Sequence, residues 1–328
     1  MEEARAVLKG LMAPVQSGME RMRETVDQQL SEGSPAVRDM TGHVGRFRGK
    51  QLRPAMVLLA GEATGNTTDE HPALAAVVEM IHLATLVHDD ILDGSKVRRR
   101  VACVNQRWDN QIAVLLGDFL YARAFALSSQ LSSRLSNHVL AETTRRICVG
   151  EIDQSARRYD FELSQEDYEK IAGAKTASLY AAAAELGARY PGGNEVVGER
   201  MHTFGWNLGL AFQIVDDCLD LVGTEESIGK TVGADVDDGK VTLPVLKTYA
   251  GADEAMRAKI RDLYTMPGIE NRLEALWDAC DLRPGLDYAL ERARELIREA
   301  EGILSELPES NARSALEGLC SFVLHRSF

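Results

Sequence analysis

An all-α fold is predicted from three observations: 9 prolines in 328 residues, 27 glycines that fall mostly between periodic segments, and runs rich in Ala, Leu, Glu and Arg that repeat apolar residues at helical spacing. Continuous strand alternation is absent. Taken in order, a first helix is expected over 4–31 and a second over 51–62. The third, over 67–93, is the best marked. Thr67 and Glu70 have the spacing of a capping box and Pro72 falls in the first turn, while Leu74, Val77, Val78, Ile81 and Thr85 recur at helical spacing and Gly94 closes the helix. The same pattern places helices over 111–130, 135–159, 165–188, 195–222, 242–250, 253–264, 269–280 and 284–306. No Ser/Pro-rich linker, low-complexity tract or abrupt charge change divides the chain, so a single domain over 1–328 is expected, although length alone suggests two.

Composition narrows the function classes. Apolar residues at 45% and charged residues at 27% describe a globular chain with a packed core. With 37 bases against 50 acids the net charge is −13, which repels phosphate backbones and anionic membrane surfaces, so no nucleic acid partner is expected. Five scattered cysteines, never in a CxxC pair, suggest neither a disulfide framework nor a zinc site and fit a reducing compartment. The N-terminal MEEARAVLKGLMAPV is unlike a secretory signal, and no stretch is expected to be long and apolar enough to span a bilayer. A cytoplasmic location is the expectation.

Chemistry concentrates in two acidic clusters 127 residues apart, His88-Asp89-Asp90-Ile91-Leu92-Asp93 and Val215-Asp216-Asp217-Cys218-Leu219-Asp220. The offset is too long for a solenoid repeat and suggests two helices facing each other across one site. Residues i and i+4 lie about 40° apart on a helix, so Asp89 and Asp93 project together, as do Asp216 and Asp220. One such cluster reads as a solvated helix end. Two, each ending an apolar run, point to a shared cation, and hard carboxylate oxygens on a rigid element suit Mg²⁺, which takes one or two carboxylates plus substrate phosphates. The sequence also offers compact basic groups: Arg48, Lys50 and Arg53; Arg98, Arg99 and Arg100 a few residues after the first cluster; Lys230 and Lys240 after the second. Singly each is a solvated loop; with the acids they describe a polyanion site. Gly229-Lys230-Thr231 lacks the upstream spacing of a P-loop and follows no strand. His82, two turns before Asp89, is either a satisfied core histidine or a residue facing the metal side. Trp108, Phe125, Trp206 and Cys218 read as packing residues.

Together, Arg48-Gly49-Lys50-Gln51-Leu52-Arg53-Pro54, the first acidic cluster with Arg98-Arg99, Gly117-Asp118, Lys175-Thr176, Phe212-Gln213 with the second cluster, and Gly239-Lys240 through Thr242-Leu243-Pro244 resemble the trans-prenyltransferases, the polyprenyl diphosphate synthases. The resemblance implies an all-helical isoprenoid synthase fold around a central cavity, a homodimer, and head-to-tail condensation of isopentenyl diphosphate onto an allylic diphosphate. It implies Mg²⁺, three ions once substrate is bound, with Asp89, Asp93 and Asp216 as direct ligands and Asp220 in the metal set. Asp90, Asp217 and Asp220 would orient metal-bound water or neighbouring ligands. Lys50, Arg53, His82 and Arg99 match the isopentenyl site, and Arg98, Lys175, Thr176, Gln213, Lys230 and Lys240 the allylic site; Asp89, Asp93, Asp216, Lys175 and Lys230 are the expected catalytic set. Arg100 and Gln51 depart from the family pattern.

The chemistry accounts for these residue types. Ionising the allylic C–O bond makes a carbocation and a diphosphate anion, which fixed cations and metals stabilise. No protein nucleophile is needed, and the released pyrophosphate is implied as the base. Growing hydrocarbon must run along the apolar helix from the metals, where Ala84 and Thr85 lie one turn before Asp89. The resemblance implies that bulky aromatics near these positions floor the cavity and give short products; both residues are small here, so a product longer than twenty carbons is expected, with Thr85 the wall residue. A geranylgeranyl or farnesyl synthase, a terpene cyclase and a non-catalytic subunit of a heteromeric synthase are the alternatives.

Overall fold

A computed structural model of the chain describes residues 2–99, 101–222 and 232–325, with the backbone alone for residues 2–5. Arg100 and Lys230 lie outside the described residues. Helices α1 (Glu2–Leu11), α2 (Gln16–Leu30), α3 (Pro35–Val44), α4 (Leu52–Thr64) and α5 (His71–Leu92) come first. A hairpin of β1 (Val97–Arg98) and β2 (Val101–Ala102) follows, antiparallel with Val97 opposite Ala102. Then come α6 (Val104–Arg107), α7 (Asn110–Ser129), α8 (Leu135–Ala156), α9 (Gln165–Ala172), α10 (Ser178–Arg189) and α11 (Glu195–Val222). The remainder is α12 (Ala234–Asp237), α13 (Leu243–Gly251), α14 (Glu254–Thr265), α15 (Arg272–Ala279), α16 (Arg283–Ser305) and α17 (Asn311–Leu324). The all-α expectation holds.

Several boundaries move for physical reasons. The helix expected over 4–31 is interrupted by a 3₁₀ turn at Ala13–Val15. Pro14 lacks an N–H and its ring clashes with the carbonyl four residues back, so the α-ladder cannot run through it. The expected capping box is absent. Glu70 is the N-cap residue of α5 without a side-chain cap, because its carboxylate accepts instead from the Ser132 hydroxyl at 2.6 Å and from Tyr190 Oη at 2.5 Å. Helix α3, entered through Ser34 as N-cap and Pro35, and helix α17 were not anticipated from periodicity. The helix expected over 165–188 contains a five-residue π-helical turn at Gly173–Ala177 between α9 and α10.

The chain divides into two compact units. The first comprises residues 1–144, 179–205 and 301–319. Its centre is α5, packed against α7, α2 and α4. Leu74, Val77, Val78, Met80, Ile81 and Ala84 have no exposure, so α5 is apolar on nearly every side, as a central helix requires. Gly187 of α10 brings backbone against backbone: a Cβ there would stand 2.1 Å from the Val57 carbonyl oxygen of α4. The second unit comprises residues 145–178, 206–300 and 320–328. Gly173 admits the Trp206 ring, which would lie 2.4 Å from a Cβ, and Arg292 grips Glu169 with two N–H groups at 2.9 and 3.0 Å, the bidentate geometry that suits a guanidinium.

One expectation is corrected. Helix α7, 20 residues from Asn110 to Ser129, is long and apolar enough to cross a membrane by length and composition. One face, with Ala113, Leu116, Leu120, Ala124 and Leu127, is buried in the first unit. The outer side carries exposed apolar residues as well, Val114 at 44% and Leu115 at 56% exposure, next to exposed Gln111 and Asp118. Length and mean hydropathy are the same whether the outer side of such a helix meets lipid, protein or water.

Candidate active site

In the first unit the acidic cluster sits where α5 ends, and helical geometry sorts its carboxylates. Asp89 and Asp93 are half-buried, whereas Asp90, rotated about 100° from Asp89, is fully buried. Arg98 of the hairpin donates from Nε to Asp90 Oδ1 at 2.7 Å, and Asn105 Nδ2 donates to the Asp90 carbonyl at 3.1 Å. Burial disfavours charge on Arg98, but the hydrogen bond and charge of Asp90 outweigh it and hold the guanidinium more firmly protonated than usual. Burial, reinforced by Asp90, pushes the Cys103 thiol up to about 12. Asp90 therefore anchors the β1–β2 hairpin to α5.

That hairpin and the loop before α4 gather the bases. Both contain strained backbone: Arg99 has φ 51° and Gln51 φ 52°, left-handed values that favour glycine. The Arg99 guanidinium occupies the space beside Gly49, where a Cβ would stand 2.1 Å from Nη2. Arg53 Nη1 lies 3.3 Å from His82 Nε2, and its guanidinium stacks 4.3 Å over the Tyr180 ring. Burial, then the charges of Arg53, Arg99 and Arg98, hold His82 well below the ordinary histidine range, so its ring is neutral and Nε2 accepts from Arg53. Glu79, one turn before His82, is 3% exposed. Burial pushes its carboxyl up while Arg53, Arg99 and Arg48 pull it back. Arg48 pairs with Asp27, and Lys50 is exposed beside it.

Further along α5, Ala84 has no exposure, while Thr85 is half-buried and its hydroxyl donates to the His82 carbonyl at 2.7 Å. Only Thr85 of the two faces open space. Gly117 of α7 gives His88 room, since a Cβ would stand 2.1 Å from His88 Nε2; that nitrogen meets the Val114 carbonyl at 3.1 Å. His88 ties α5 to α7 and is structural.

In the second unit the sorting on α11 differs: Asp220, expected to project with Asp216, is fully buried because its carboxylate faces the segment that follows the helix. Asp216 is half-buried, and Asp217 and Asp220 are buried. Burial, followed by the charge of Asp235, pushes Asp217 up to about 7. Its Oδ1 accepts from Gln213 Nε2 at 2.7 Å and its Oδ2 from Tyr168 Oη at 2.5 Å. Asp220 Oδ2 accepts the Asp235 N–H at 3.0 Å. The π-turn carries Lys175 and Thr176, and inserting one residue into a helix re-aims the side chains around it. Lys175 Nζ donates to Glu151 Oε2 and Gln154 Oε1, both at 2.9 Å, and Thr176 Oγ1 donates to Gln213 Oε1 at 2.6 Å. Lys240, after Gly239 with φ 73°, is held 3.0 Å from Asp238 and 3.5 Å from Asp235. Gln154, Tyr168, Lys175, Gln213, Asp217 and Lys240 share a cavity of about 70 Å³. Burial pushes the Cys218 thiol up, and it is a packing residue.

Among the described residues no three His, Cys, Asp or Glu side chains are gathered closely enough to cage a cation alone. A pair of carboxylates one turn apart is instead the donor set of an ion that completes its shell with water and phosphate oxygens. Glu79, Glu151, Gln154 and Tyr168 escaped the sequence reading. No local spacing marks them, because their partners lie on other segments; only the seven-residue spacing of Tyr168 and Lys175, two helical turns, could have hinted at a shared face.

The polyprenyl synthetase family profile matches residues 34–278. The chain is 33% identical over 310 residues to the octaprenyl diphosphate synthase of Haemophilus influenzae, covering 94% of each. It is 36% identical over 317 residues to the geranyl-diphosphate-specific all-trans-nonaprenyl-diphosphate synthase of Rhodobacter capsulatus, covering 96% of this chain and 97% of that one. In structure it is similar to a polyprenyl synthase from Caulobacter crescentus crystallised with calcium and isoprenyl diphosphate, with TM-score 0.90, 34% identity and 97% of each chain covered.

Proposed function

Because the chain belongs to the polyprenyl synthetase family of prenyltransferases, we propose that it condenses isopentenyl diphosphate head-to-tail onto an allylic diphosphate. The reaction releases pyrophosphate and builds a trans-polyprenyl diphosphate longer than twenty carbons, a length supported by the octaprenyl and nonaprenyl synthases it resembles. The observation that carries the reading is the sorting within each acidic cluster. Asp89, Asp93 and Asp216 remain partly open, while Asp90, Asp217 and Asp220 are buried. The open acids fit Mg²⁺, with three ions in the substrate complex, and the calcium in the Caulobacter structure supports a divalent ion. When bound, Mg²⁺ supplies Lewis-acid stabilisation of the departing diphosphate. Asp90, Asp217 and Asp220 orient metal-bound water or neighbouring ligands, with Asp220 held by the Asp235 N–H.

The chain's own residues position the reactants. Lys50, Arg53 and Arg99, with neutral His82, hold isopentenyl diphosphate so that its double bond faces the allylic carbon. Arg98, Lys175, Thr176, Gln213, Lys230 and Lys240 serve the allylic diphosphate, and the departing pyrophosphate takes the proton. The chain works as one catalytic domain. A homodimer is proposed because the adjacent apolar side chains of Val114 and Leu115 on α7 are exposed. Cytoplasmic residence is proposed on the free thiols of Cys103, Cys148, Cys218 and Cys280.

Incubation with Mg²⁺, farnesyl diphosphate and labelled isopentenyl diphosphate, followed by chromatography, tests the reading. Label should enter a product beyond twenty carbons, and Asp89→Ala or Asp216→Ala should lower the rate by about a hundredfold, roughly 3 kcal/mol of leaving-group stabilisation. Full turnover in chelator refutes the metal. Allylic diphosphate consumed without label incorporation identifies a cyclase, and a product stopping at fifteen or twenty carbons refutes the length.

A further inference from the structure

We propose that Tyr168 is a positioning residue that, through Asp217, fixes which way the Gln213 amide faces. The proposal rests on the functional reading above, which places Gln213 and Thr176 at the allylic diphosphate.

Four side chains form one chain of hydrogen bonds. Tyr168 Oη donates to Asp217 Oδ2 at 2.5 Å, Gln213 Nε2 donates to Asp217 Oδ1 at 2.7 Å, and Thr176 Oγ1 donates to Gln213 Oε1 at 2.6 Å. An amide has chemically distinct ends. With Nε2 committed to a carboxylate oxygen, Oε1 must turn to Thr176; the flipped amide would set Oε1 against Asp217 and oppose two acceptors. Gln213 and Asp217 are i and i+4 on α11, so they face each other whatever else surrounds them. That contact alone does not fix the carboxylate, which can rotate about its side-chain bonds. Tyr168, on α9, supplies the second anchor from a different helix. It is 6% exposed, and its hydroxyl is committed to Asp217.

A buried tyrosine whose hydroxyl has merely found an acceptor would be a packing residue. Two facts oppose that reading here. The acceptor belongs to the acidic cluster, and Tyr168 shares its cavity with Lys175, Gln213 and Lys240, the proposed anion-binding groups. Moreover, the relay ends at Thr176 on the π-turn, the one break in the α9–α10 run. Removing the tyrosine hydroxyl would leave Asp217 Oδ2 buried with one donor fewer and let the carboxylate and then the amide rotate, misdirecting both Gln213 and Thr176 without removing either.

The test is a double-mutant cycle read by steady-state kinetics with Mg²⁺, farnesyl diphosphate and isopentenyl diphosphate. Tyr168→Phe should lower kcat about tenfold, the worth of one charge-assisted hydrogen bond, and leave the KM for isopentenyl diphosphate unchanged. Combined with Gln213→Leu it should be no slower than Gln213→Leu alone, whereas combined with Arg53→Ala the losses should multiply. Wild-type kcat in Tyr168→Phe, or losses that multiply with Gln213→Leu, would overturn the proposal. A series of ring-fluorinated tyrosines at position 168 keeps both hydroxyl and shape, so it decides the matter even where the phenylalanine variant does not fold. Across it kcat should vary with donor strength when Gln213 is present and stay flat in Gln213→Leu; a flat series in both overturns the proposal. An inactive wild type overturns the functional reading and this proposal together, while an active wild type with an indifferent Tyr168 overturns this proposal alone.

Discussion

Replacing Arg53 with alanine removes three interactions whose sizes follow from the geometry. The guanidinium stacks 4.3 Å over Tyr180, and such a cation–π contact contributes about 0.5–2 kcal/mol. It donates to His82 Nε2 at 3.3 Å, a long bond worth at most about 1 kcal/mol. Its charge is also the main one opposing the burial of Glu79, and a buried carboxylate that loses a partner is costly. Arg53→Ala is therefore expected to lower the melting temperature by several degrees, and adding Glu79→Gln should restore part of that loss. The functional effect is separate. One charge-assisted contact to phosphate contributes about 1.5–3 kcal/mol, so the KM for isopentenyl diphosphate should rise roughly 10- to 150-fold while that for the allylic substrate hardly moves. Arg53→Lys keeps the charge but not the planar fork, and should fall between wild type and alanine. The assay is initial-rate kinetics with each diphosphate varied at saturating levels of the other. Equal rises in both KM values would show that Arg53 does not belong to one diphosphate, and an unchanged KM for isopentenyl diphosphate would remove it from substrate binding.

Three further outcomes are expected. Thr85→Phe should shorten the product, because Thr85 is the half-buried member of the Ala84–Thr85 pair and stands four residues, about 6 Å of helix, from Asp89; chromatography showing an unchanged product would place the floor elsewhere. His82 is held well below its ordinary range, so without substrate the unfolded chain protonates there before the folded one does. The stability His82 contributes is fully present above about pH 6.5 and lost as pH falls from there towards the folded-state pKa. Denaturant titrations should show a shallower acid loss in His82→Gln, and parallel acid limbs would contradict the depressed pKa. Gly117→Ala drives a methyl group to 2.1 Å from His88 Nε2 and should cost about 1–3 kcal/mol of stability; if the cost persists in the His88→Ala background, the clash is not its cause.

What could be read from the chain alone is whatever depends on separations of a few residues. The i, i+4 spacing of Asp89 with Asp93 and Asp216 with Asp220, the apolar periodicity from Leu74 to Thr85, and the basic clusters are local properties of helices and loops. They marked out the all-α class and the candidate acids and bases. Local spacing also misled where a competing partner was distant: Thr67 and Glu70 have capping-box spacing, yet Glu70 is taken by Ser132 and Tyr190. Tertiary structure decided which acids of each cluster are buried, since that depends on what packs against the helix: Arg98 and Asn105 on Asp90, Tyr168 on Asp217, the Asp235 amide on Asp220. It also decided that Lys175 is held by Glu151 and Gln154, 24 and 21 residues away. It decided that Thr176 meets Gln213 across 37 residues. Such contacts form only when separate segments fold together, and no periodicity of either segment records which residue of the other it will meet.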